Sequence, residues 1–437
     1  MESRKKVPLK NKVAYGIGTG GGCIFSQIAA AFLLNYYTDT ALIGAGAIAT
    51  MFLICRVFDG VTDLIMGGIV DKTSSRFGKA RPWLIASAPL TLLGIVLLMN
   101  VPRGLGENGH LVSAYVTYIF MNCIVYTIYG ISNTALLPLM THDKDDSTML
   151  ATFSALGNNI IGLLAGSLIT PLVLNLGWKA SSVILGAAAC VLILISGFVN
   201  KEMANEAEAK QSASVPMSEQ LPATLKNKYF WLLLLLGAFS LIMNANAIGA
   251  QIFYCNMVLN NPMFMSVLMT AGQLPGIFIL FLMPIVSKKW NKKTFLLMGA
   301  VLIIIGFAIT GFAGGNTTMI VVGTVIRSLG VGPILSAVFA LVPDVVEYGN
   351  WKFGIRSEGL ISSAQSIGSK IGIGIGSALT GWILAAVGYN PTAELTAAII
   401  DAVKFDYTWM GAILGVIILV IVLLLDVEKY ADQYNKN

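Results

Sequence analysis

Long apolar segments separated by short polar ones form the dominant pattern along this chain. A helix crosses about 30 Å of hydrocarbon with about 20 residues, and twelve segments are long enough to do so. We therefore predict an all-α membrane protein with twelve transmembrane helices. The predicted spans are residues 11–38, 41–69, 82–101, 111–139, 149–176, 180–199, 229–258, 263–286, 294–313, 318–345, 357–388 and 405–426.

A longer polar stretch divides the spans into six and six. The segment PIVSKKWNKKTF, which begins at Pro284, aligns with GIVDKTSSRFGK, which begins at Gly68. An internal repeat of this kind predicts two similar bundles of six helices, with the substrate path between them. The predicted organisation is an N-terminal bundle over 1–199, a cytoplasmic linker over 200–228 and a C-terminal bundle over 229–437.

Composition and charge agree with this class of protein. Only 11% of the residues are charged, whereas a soluble protein carries roughly 25%. Of the 28 Lys and Arg residues, 22 fall on the side of the N-terminus and three on the opposite side. By the positive-inside rule we expect both termini in the cytoplasm, and no cleavable signal peptide is apparent. The net charge of +6 therefore reflects topology and does not indicate nucleic-acid binding.

Two acidic side chains, Asp59 and Asp63, lie inside the second predicted span. A carboxylate in the membrane interior is costly, and it usually faces a cavity, pairs with a cation or lies on a transport path. Four residues apart on a helix, the two side chains have Cβ atoms about 5–6 Å apart on one face. Two ionised carboxylates repel each other, which favours either a held proton or a bound metal ion. The pair therefore predicts a cation site.

Basic side chains inside the spans suggest how this site is coupled to the rest of the protein. Lys370, in the middle of the eleventh span, needs a carboxylate partner. Asp59 and Asp63 are the only acids that our boundaries place at mid-span, so we predict that Lys370 pairs with them across the two bundles. Lys370 and Arg56 are the predicted coupling residues. Arg327 either faces the cavity or reaches the membrane interface from near a helix end.

Uncharged polar side chains indicate a cavity wall. Asn122, Tyr126, Gly130 and Asn133 recur at helical spacing in the fourth span and form one stripe. Such a stripe suits the wall of a water-filled cavity better than a lipid-facing surface. Gln27 in the first span is an equal candidate for substrate contact and for a hydrogen bond between helices.

Two polar segments at cytoplasmic helix ends are candidate gates. One is the hairpin after the second span, and the other is the run PDVVEYGNWKFGIRSEG after the tenth. For the charges of the second run a gate or brace of ion pairs is favoured over substrate binding, and the basic residues of the hairpin can cap the end of the second helix and pair with Asp71. The predicted gate residues are Asp71, Arg76, Asp344, Glu347, Arg356 and Glu358.

Several of these stretches resemble the glycoside-pentoside-hexuronide:cation symporters, the family of the melibiose and glucuronide permeases in the major facilitator superfamily. The resemblance covers nearly the whole length, and it implies the major facilitator fold and symport of a sugar with a cation in a bacterial inner membrane. The matching stretches are YYTD ending at Asp39, RVFDGVTDLIMGGIVDKTSSRFGKARPW from Arg56, YTI from Tyr126, DVVEYGNWKFGIRSEG from Asp344, and Lys370.

The resemblance also implies the members of the cation site. Asp59 and Asp63 match the cation-binding carboxylates, Thr127 matches a hydroxyl ligand, and Lys370 matches the lysine that interacts with the site. Thr62 stands where the melibiose permease has an asparagine, so the ligand differs but an oxygen is kept. Oxygen ligands suit Na⁺ or Li⁺, whereas two carboxylates near a lysine also suit a proton. We expect Na⁺ at Asp59 and Asp63 and leave the ion's identity open.

The sugar site matches the melibiose permease less well. Where the melibiose permease has two sugar-binding aspartates, this chain has Cys23 and Gly130. Where that permease has a tryptophan that stacks on the sugar, this chain has Thr134. A site with few acids suits a hexuronide, a pentoside or a bulkier glycoside. A non-sugar amphiphile stays open, because lysolipid symporters are distant relatives with the same aspartate pair. The predicted substrate-binding residues are Cys23, Gln27, Tyr126, Gly130, Asn133, Gln365 and Ser366.

Other functional classes fit the sequence less well. A transceptor that binds a ligand without transporting it is disfavoured because no extra soluble domain is present, and a passive uniporter is a closer rival. An enzyme is disfavoured because no nucleophile, metal cluster or cofactor motif accompanies the aspartates. We expect no cofactor apart from the co-transported ion. We also expect a monomer whose partners are a small sugar or glycoside and membrane lipid.

Overall fold

A computed structural model describes residues 6–102, 104, 106–203, 217–286, 291–355 and 357–430. Within these ranges every regular element is a helix, and no strand occurs. The prediction of an all-α protein with twelve membrane helices is confirmed. The helices are α1 Leu9–Thr40, α2 Ala45–Lys72, α3 Arg81–Leu98, α4 106–140, α5 144–176, α6 178–199, α7 Lys228–Val258, α8 Phe264–Val286, α9 Lys292–Gly311, α10 Thr317–Phe353, α11 Glu358–Ala386, and α12 Ala397–Tyr407 with Trp409–Leu424.

Several helices depart from regular α geometry. The helical turns of α5 and α6 run together, with a break at Gly177, whose φ of 75° favours glycine. A π-helical segment, Ile119–Tyr126, lies in the middle of α4, and another, Tyr254–Val258, ends α7. Hydrogen bonds in a π-helix span five residues, so the side chains beyond such a segment point in different directions from those of an α-helix. This change decides which side chains of α4 face α2.

The contacts divide the chain into two compact units. The first unit is 1–207 with 261–270 and 389–394, and the second is 208–260, 271–388 and 395–437. The first unit therefore contains α1–α6, and the second contains most of α7–α12. Each unit has its own apolar core. The core of the first includes Leu84, Tyr129 and Leu150, and that of the second includes Phe230, Ile303 and Ile418.

The third helix of each bundle is capped in the same way. The carboxylate of Glu202 accepts hydrogen bonds from the backbone N–H groups of residues 79–81, at 2.7–3.0 Å, where α3 begins. Glu428 accepts from the N–H groups of residues 292–293, at 3.0 and 3.1 Å, where α9 begins. A carboxylate there satisfies free N–H groups and complements the helix dipole. The repeated cap agrees with the internal repeat in the sequence.

The start of α12 and the end of α10 each differ by eight residues from the predicted boundaries, and the difference at α12 bears on a buried acid. The helix begins at Ala397 and not at residue 405, because Asp401 and Lys404 lower the apolar content of its first turns. Asp406 is also a buried helix residue, so the second span does not hold the only buried acid of the helices. Within the predicted linker, Met217–Lys226 forms a short helix, and residues 204–216 lie outside the description.

Candidate cation and substrate site

The carboxylate of Asp59 joins α2 to α4. Asp59 is 7% exposed, and the side-chain amide of Asn122 donates to both of its oxygens, at 2.9 and 3.0 Å. From the same helix, Nη1 of Arg56 donates to Oδ2 of Asp59 at 3.1 Å. A neutral amide and a guanidinium together fix the orientation of this carboxylate. A buried carboxylate in this setting is a ready ligand for a cation.

Two hydroxyl groups lie one turn further along α2. Oγ1 of Thr62 lies 3.3 Å from Oγ1 of Thr127 in α4, and Thr127 is buried. Thr62 also reaches the backbone oxygens of Phe58 and Asp59, each at 3.3 Å. Asp63 is half-buried on the same helix. The structure thus brings Asp59, Thr62 and Thr127 to one contact between α2 and α4, and carboxylate and hydroxyl oxygens are ligands that hard cations prefer.

Asn122 is a member of this contact that the predicted cation site did not include. Its Oδ1 atom is buried and has no hydrogen-bond partner among the residues that the structure describes. Asn122 and Thr127 are five residues apart, which places them about 140° apart on a regular α-helix. The π-helical segment Ile119–Tyr126 allows both to face α2. Helical spacing in the sequence therefore did not indicate that Asn122 and Thr127 both face α2.

The side chains of the polar stripe on α4 contact two different helices, α2 and α1. Asn122 contacts α2, whereas the hydroxyl of Tyr126 lies 2.8 Å from Oγ of Ser26 in α1. Asn133 is buried, and its amide donates to Oγ1 of Thr19 in α1 at 3.2 Å. A role for Asn133 in substrate binding stays a prediction, since its amide nitrogen already serves helix packing.

The other predicted substrate residues of the first unit lie along α1 and α4. Cys23 is buried and contacts Gln27, which is half-buried. The ring of Tyr126 packs on Phe25 with 5.0 Å between centroids. No other atom lies within 4 Å of a Cβ built at Gly130, so this position borders open space. Their roles in binding stay predictions.

The predicted residues on α11 belong to the second unit. Lys370 is half-buried and Ser366 is exposed, and the side chain of Gln365 lies outside the description. The predicted pairing of Lys370 with the aspartates of α2 joins the two units, and it stays a prediction.

The gate residues near the end of α10 include one clear brace. Asp344 accepts a hydrogen bond from Nζ of Lys292, at the start of α9, at 2.6 Å. This ion pair ties two helices of the second unit together. Glu347 is half-buried, and Arg356 and the side chain of Glu358 lie outside the described residues.

The hairpin after α2 is organised differently from the prediction. Asp71 and Arg76 are both exposed, and no ion pair joins Asp71 to a basic residue of this hairpin in the described part of the chain. Glu202 holds the hairpin instead, through the backbone N–H groups of residues 79–81. Free N–H groups at a helix start attract a carboxylate, and the sequence offers no spacing that shows a partner so far along the chain.

Arg327 occupies neither of its two predicted positions. It is 7% exposed inside the second unit, with its guanidinium 4.8 Å from the ring centroid of Phe307 in α9 and 5.0 Å from that of Tyr407 in α12. Its Nη2 donates to the hydroxyl of Tyr407 at 3.1 Å. Cation–π contact stabilises a buried guanidinium, so Arg327 acts in packing between three helices.

Comparison with known proteins decides the class. Residues 14–429 match the family described as MFS/sugar transport protein. The chain belongs to this family. It is a membrane transporter and not an enzyme, as predicted. An isoprimeverose transporter of Lactiplantibacillus pentosus is 28% identical to this transporter over 426 residues, which cover 93% of the chain and 86% of the relative. A glucuronide carrier protein homolog of Escherichia coli (strain K12) is 29% identical over 403 residues, which cover 90% of this chain and 87% of the relative.

Solved structures show the same fold for this MFS transporter. A mutant of the nucleoside transporter NupG superposes with a TM-score of 0.69 at 14% identity, covering 95% of this chain and all of that one. A bacterial homolog of the human lysosomal transporter Spinster, inward-facing and unoccupied, gives 0.66 at 14% identity, covering 95% of each. At this identity the likeness shows the fold alone. With the family match, it confirms the resemblance and the major facilitator fold.

Proposed function

We propose that this transporter imports a glycoside, pentoside or hexuronide together with a cation, by alternating access. The contact between α2 and α4 carries the proposal. There, Asp59 supplies a buried carboxylate, Thr62 and Thr127 supply two hydroxyl groups, and Asn122 supplies an amide oxygen that has no hydrogen-bond partner among the described residues. Relatives named for isoprimeverose transport and as a glucuronide carrier homolog support a sugar as the substrate.

The chemistry of the site favours an alkali cation. Na⁺ and Li⁺ bind carboxylate, hydroxyl and amide oxygens, as hard cations do, and this contact offers all three kinds. Asp63, half-buried on the same helix as Asp59, adds a second carboxylate for the ion. A proton requires only one of these groups, so the uncharged oxygens favour Na⁺ or Li⁺ over H⁺.

Arg56 gives the site a way to respond to the ion. The guanidinium and an incoming cation compete for Oδ2 of Asp59, with which Arg56 is now paired. We expect cation binding to release Arg56, whose side chain then becomes available to a polar or anionic group of the substrate. Each ligand thereby strengthens the binding of the other, which symport requires.

The substrate position is proposed along α1 and α4 of the first unit. Gly130 borders open space, and Cys23, Gln27 and Tyr126 lie on the neighbouring turns of these helices. None of these side chains is acidic, which suits an anionic hexuronide or an uncharged glycoside. The positive-inside rule supports cytoplasmic termini, and the bacterial relatives support the inner membrane.

Uptake into proteoliposomes tests the proposal. Purified protein is reconstituted and offered a panel of pentosides, glucuronides and other glycosides, with an imposed gradient of Na⁺, Li⁺ or H⁺. We expect accumulation of one class against its gradient only with Na⁺ or Li⁺, and its loss in Asp59→Asn and Asp63→Asn. The matched control is Asp145→Asn, an exposed acid at the start of α5.

Three results would contradict the proposal. Undiminished cation-driven accumulation by Asp59→Asn would exclude this carboxylate from the ion site. Counterflow without any response to an ion gradient would identify a uniporter, and ligand binding without counterflow would identify a transceptor.

A further inference from the structure

Asp406 is a buried acid in the second unit that the cation site does not use. It is 2% exposed and lies in the last turns of the first helical part of α12. The amide of Asn246 in α7 donates to its Oδ1 at 2.8 Å and to Oγ1 of Thr380 in α11 at 3.2 Å, and the hydroxyl of Thr380 also hydrogen-bonds the carboxylate. Three helices of the second unit therefore meet at this one carboxyl group.

The ion pairs in the described part of the chain include none with Asp406. Lys404, two residues earlier, is exposed and pairs with Asp401 at 3.3 Å. Arg327 donates to the hydroxyl of Tyr407 and stacks on its ring. A buried carboxylate without a cation is expensive in a membrane interior, whereas the neutral acid is not.

The hydrogen bonds work in the opposite direction. Two neutral donors, from Asn246 and Thr380, stabilise the ionised form of Asp406. Burial and hydrogen bonding therefore oppose each other at this group, so a modest change in its surroundings is enough to bind or release a proton.

An unused acceptor lies beside the acid. Oδ1 of Asn246, a residue only 1% exposed, has no hydrogen-bond partner among the described residues. Protonation gives Asp406 an O–H donor, and such a donor needs an acceptor when it is buried. The amide oxygen of Asn246, which has no partner among the described residues, supplies one. A metal ion at the same place would need more oxygen ligands than the carboxylate, this oxygen and one hydroxyl provide.

We propose that Asp406, Asn246 and Thr380 form a proton-binding site in the second unit, separate from the cation site at Asp59. The proton binds to a carboxylate oxygen of Asp406 and leaves from it, and no other bond changes. The other ionisable groups nearby belong to Tyr407, Tyr254, Cys255 and Arg327, which meet one another on the adjoining face of α12.

Infrared spectroscopy of the purified, full-length protein tests the site directly. A protonated carboxylic acid has a carbonyl stretching band that an ionised carboxylate lacks. We expect such a band at mildly acidic pH, its loss as the pH is raised, and its absence in Asp406→Asn. The matched control is Asp401→Asn on the same helix, which should keep the band, because Asp401 is exposed and paired with Lys404. An unchanged band in Asp406→Asn overturns the proposal.

A second variant tests the same site if Asp406→Asn fails to fold. Thr380→Val keeps the shape of the side chain and removes one donor to the carboxylate, so the protonated form should persist to higher pH, by up to about one pH unit. A band that titrates as in the wild type overturns the assignment of Thr380 and Asp406 to one site. Neither measurement needs transport or a substrate, so failure of the proposed symport is distinguishable from failure of this site.

Discussion

The side chain of Asn122 shows how much a single residue adds to the cation site. Its nitrogen holds both oxygens of Asp59, and its oxygen is free among the described residues. Replacing Asn122 with leucine removes an oriented partner and an oxygen ligand at nearly constant volume. Hydrogen bonds to charged groups contribute about 1.5–3 kcal/mol, so we expect the apparent cation affinity to fall at least about tenfold.

Thermal stability of the purified Asn122→Leu protein, measured against Na⁺ or Li⁺ concentration, gives this affinity. Asn100→Leu is the control. Asn100 is an amide beyond the end of α3 that bonds to Ser182 and lies outside the cation site. Equal cation dependence in the two variants would show that Asn122 does not belong to the ion site.

Resemblance and helical spacing predicted different parts of the site. The aspartates followed from their place inside an apolar span and Thr127 from its match to a family motif, and the structure brings Asp59, Thr62 and Thr127 together. Asn122 could not be assigned, because the π-helical segment of α4 changes the direction of its side chain relative to Thr127. The spacing of polar and apolar residues in the sequence does not reveal a π-helical segment.

At the scale of elements, the cap on α3 is open to a stability test. Glu202 satisfies the N–H groups of residues 79–81 and holds the hairpin after α2. Glu202→Ala leaves these groups without their partner, and the loss of a cap costs about 0.5–2 kcal/mol. We expect a lower melting temperature in detergent.

The control for this cap is Glu394→Ala, because Glu394 is an exposed acid in the segment before α12. Glu428→Ala should resemble Glu202→Ala, since Glu428 caps α9 in the same way. A melting temperature unaffected in Glu202→Ala would show that solvent replaces the carboxylate without cost.

Close packing of α1 on α5 gives a second test at this scale. A Cβ at Gly157 would lie 1.9 Å from the backbone oxygen of Gly16, so any side chain forces the helices apart. We expect Gly157→Ala to destabilise the protein by about 1–3 kcal/mol, as overpacking does.

The matched control for Gly157 is Gly276→Ala in α8, where no atom lies within 4 Å of an added Cβ. This change should be neutral or stabilising, because alanine favours a helix by about 0.5–1 kcal/mol over glycine. Melting temperatures of both variants measure the difference. Equal melting temperatures would mean that α1 and α5 separate without cost.

Apolar length predicted the helices well and their irregularities poorly. Hydrocarbon thickness fixes how many apolar residues a span needs, so the twelve segments could be counted from composition. The first turns of α12 were missed because the charged side chains of Asp401 and Lys404 resemble loop residues in such a count. The burial of Asp406, inside the predicted span, was not predicted either, since Asn246 and Thr380 satisfy its carboxylate in three dimensions and not along the chain.

For the whole molecule, the two units divide the chemistry between them. The first holds the oxygen cluster around Asp59, and the second holds Lys370, the predicted coupling residue, and the proposed proton site at Asp406. A transporter with ionisable sites in both halves can respond to two gradients. The uptake and infrared measurements report on these sites separately.

Coupling between the cation and the sugar is a property of the whole molecule, and thermodynamics fixes its form. If the cation raises sugar affinity by some factor, the sugar must raise cation affinity by the same factor, typically about 5–150-fold. We expect equal factors from calorimetric titrations of each ligand with and without the other.

In Lys370→Gln we expect both ligands still to bind and the coupling factor to fall towards one, because the predicted charge link between α11 and the aspartates of α2 is lost. Ser369→Ala, which changes the neighbouring position without removing charge, should keep the wild-type factor. An undiminished factor in Lys370→Gln would mean that Arg56, and not Lys370, carries the coupling.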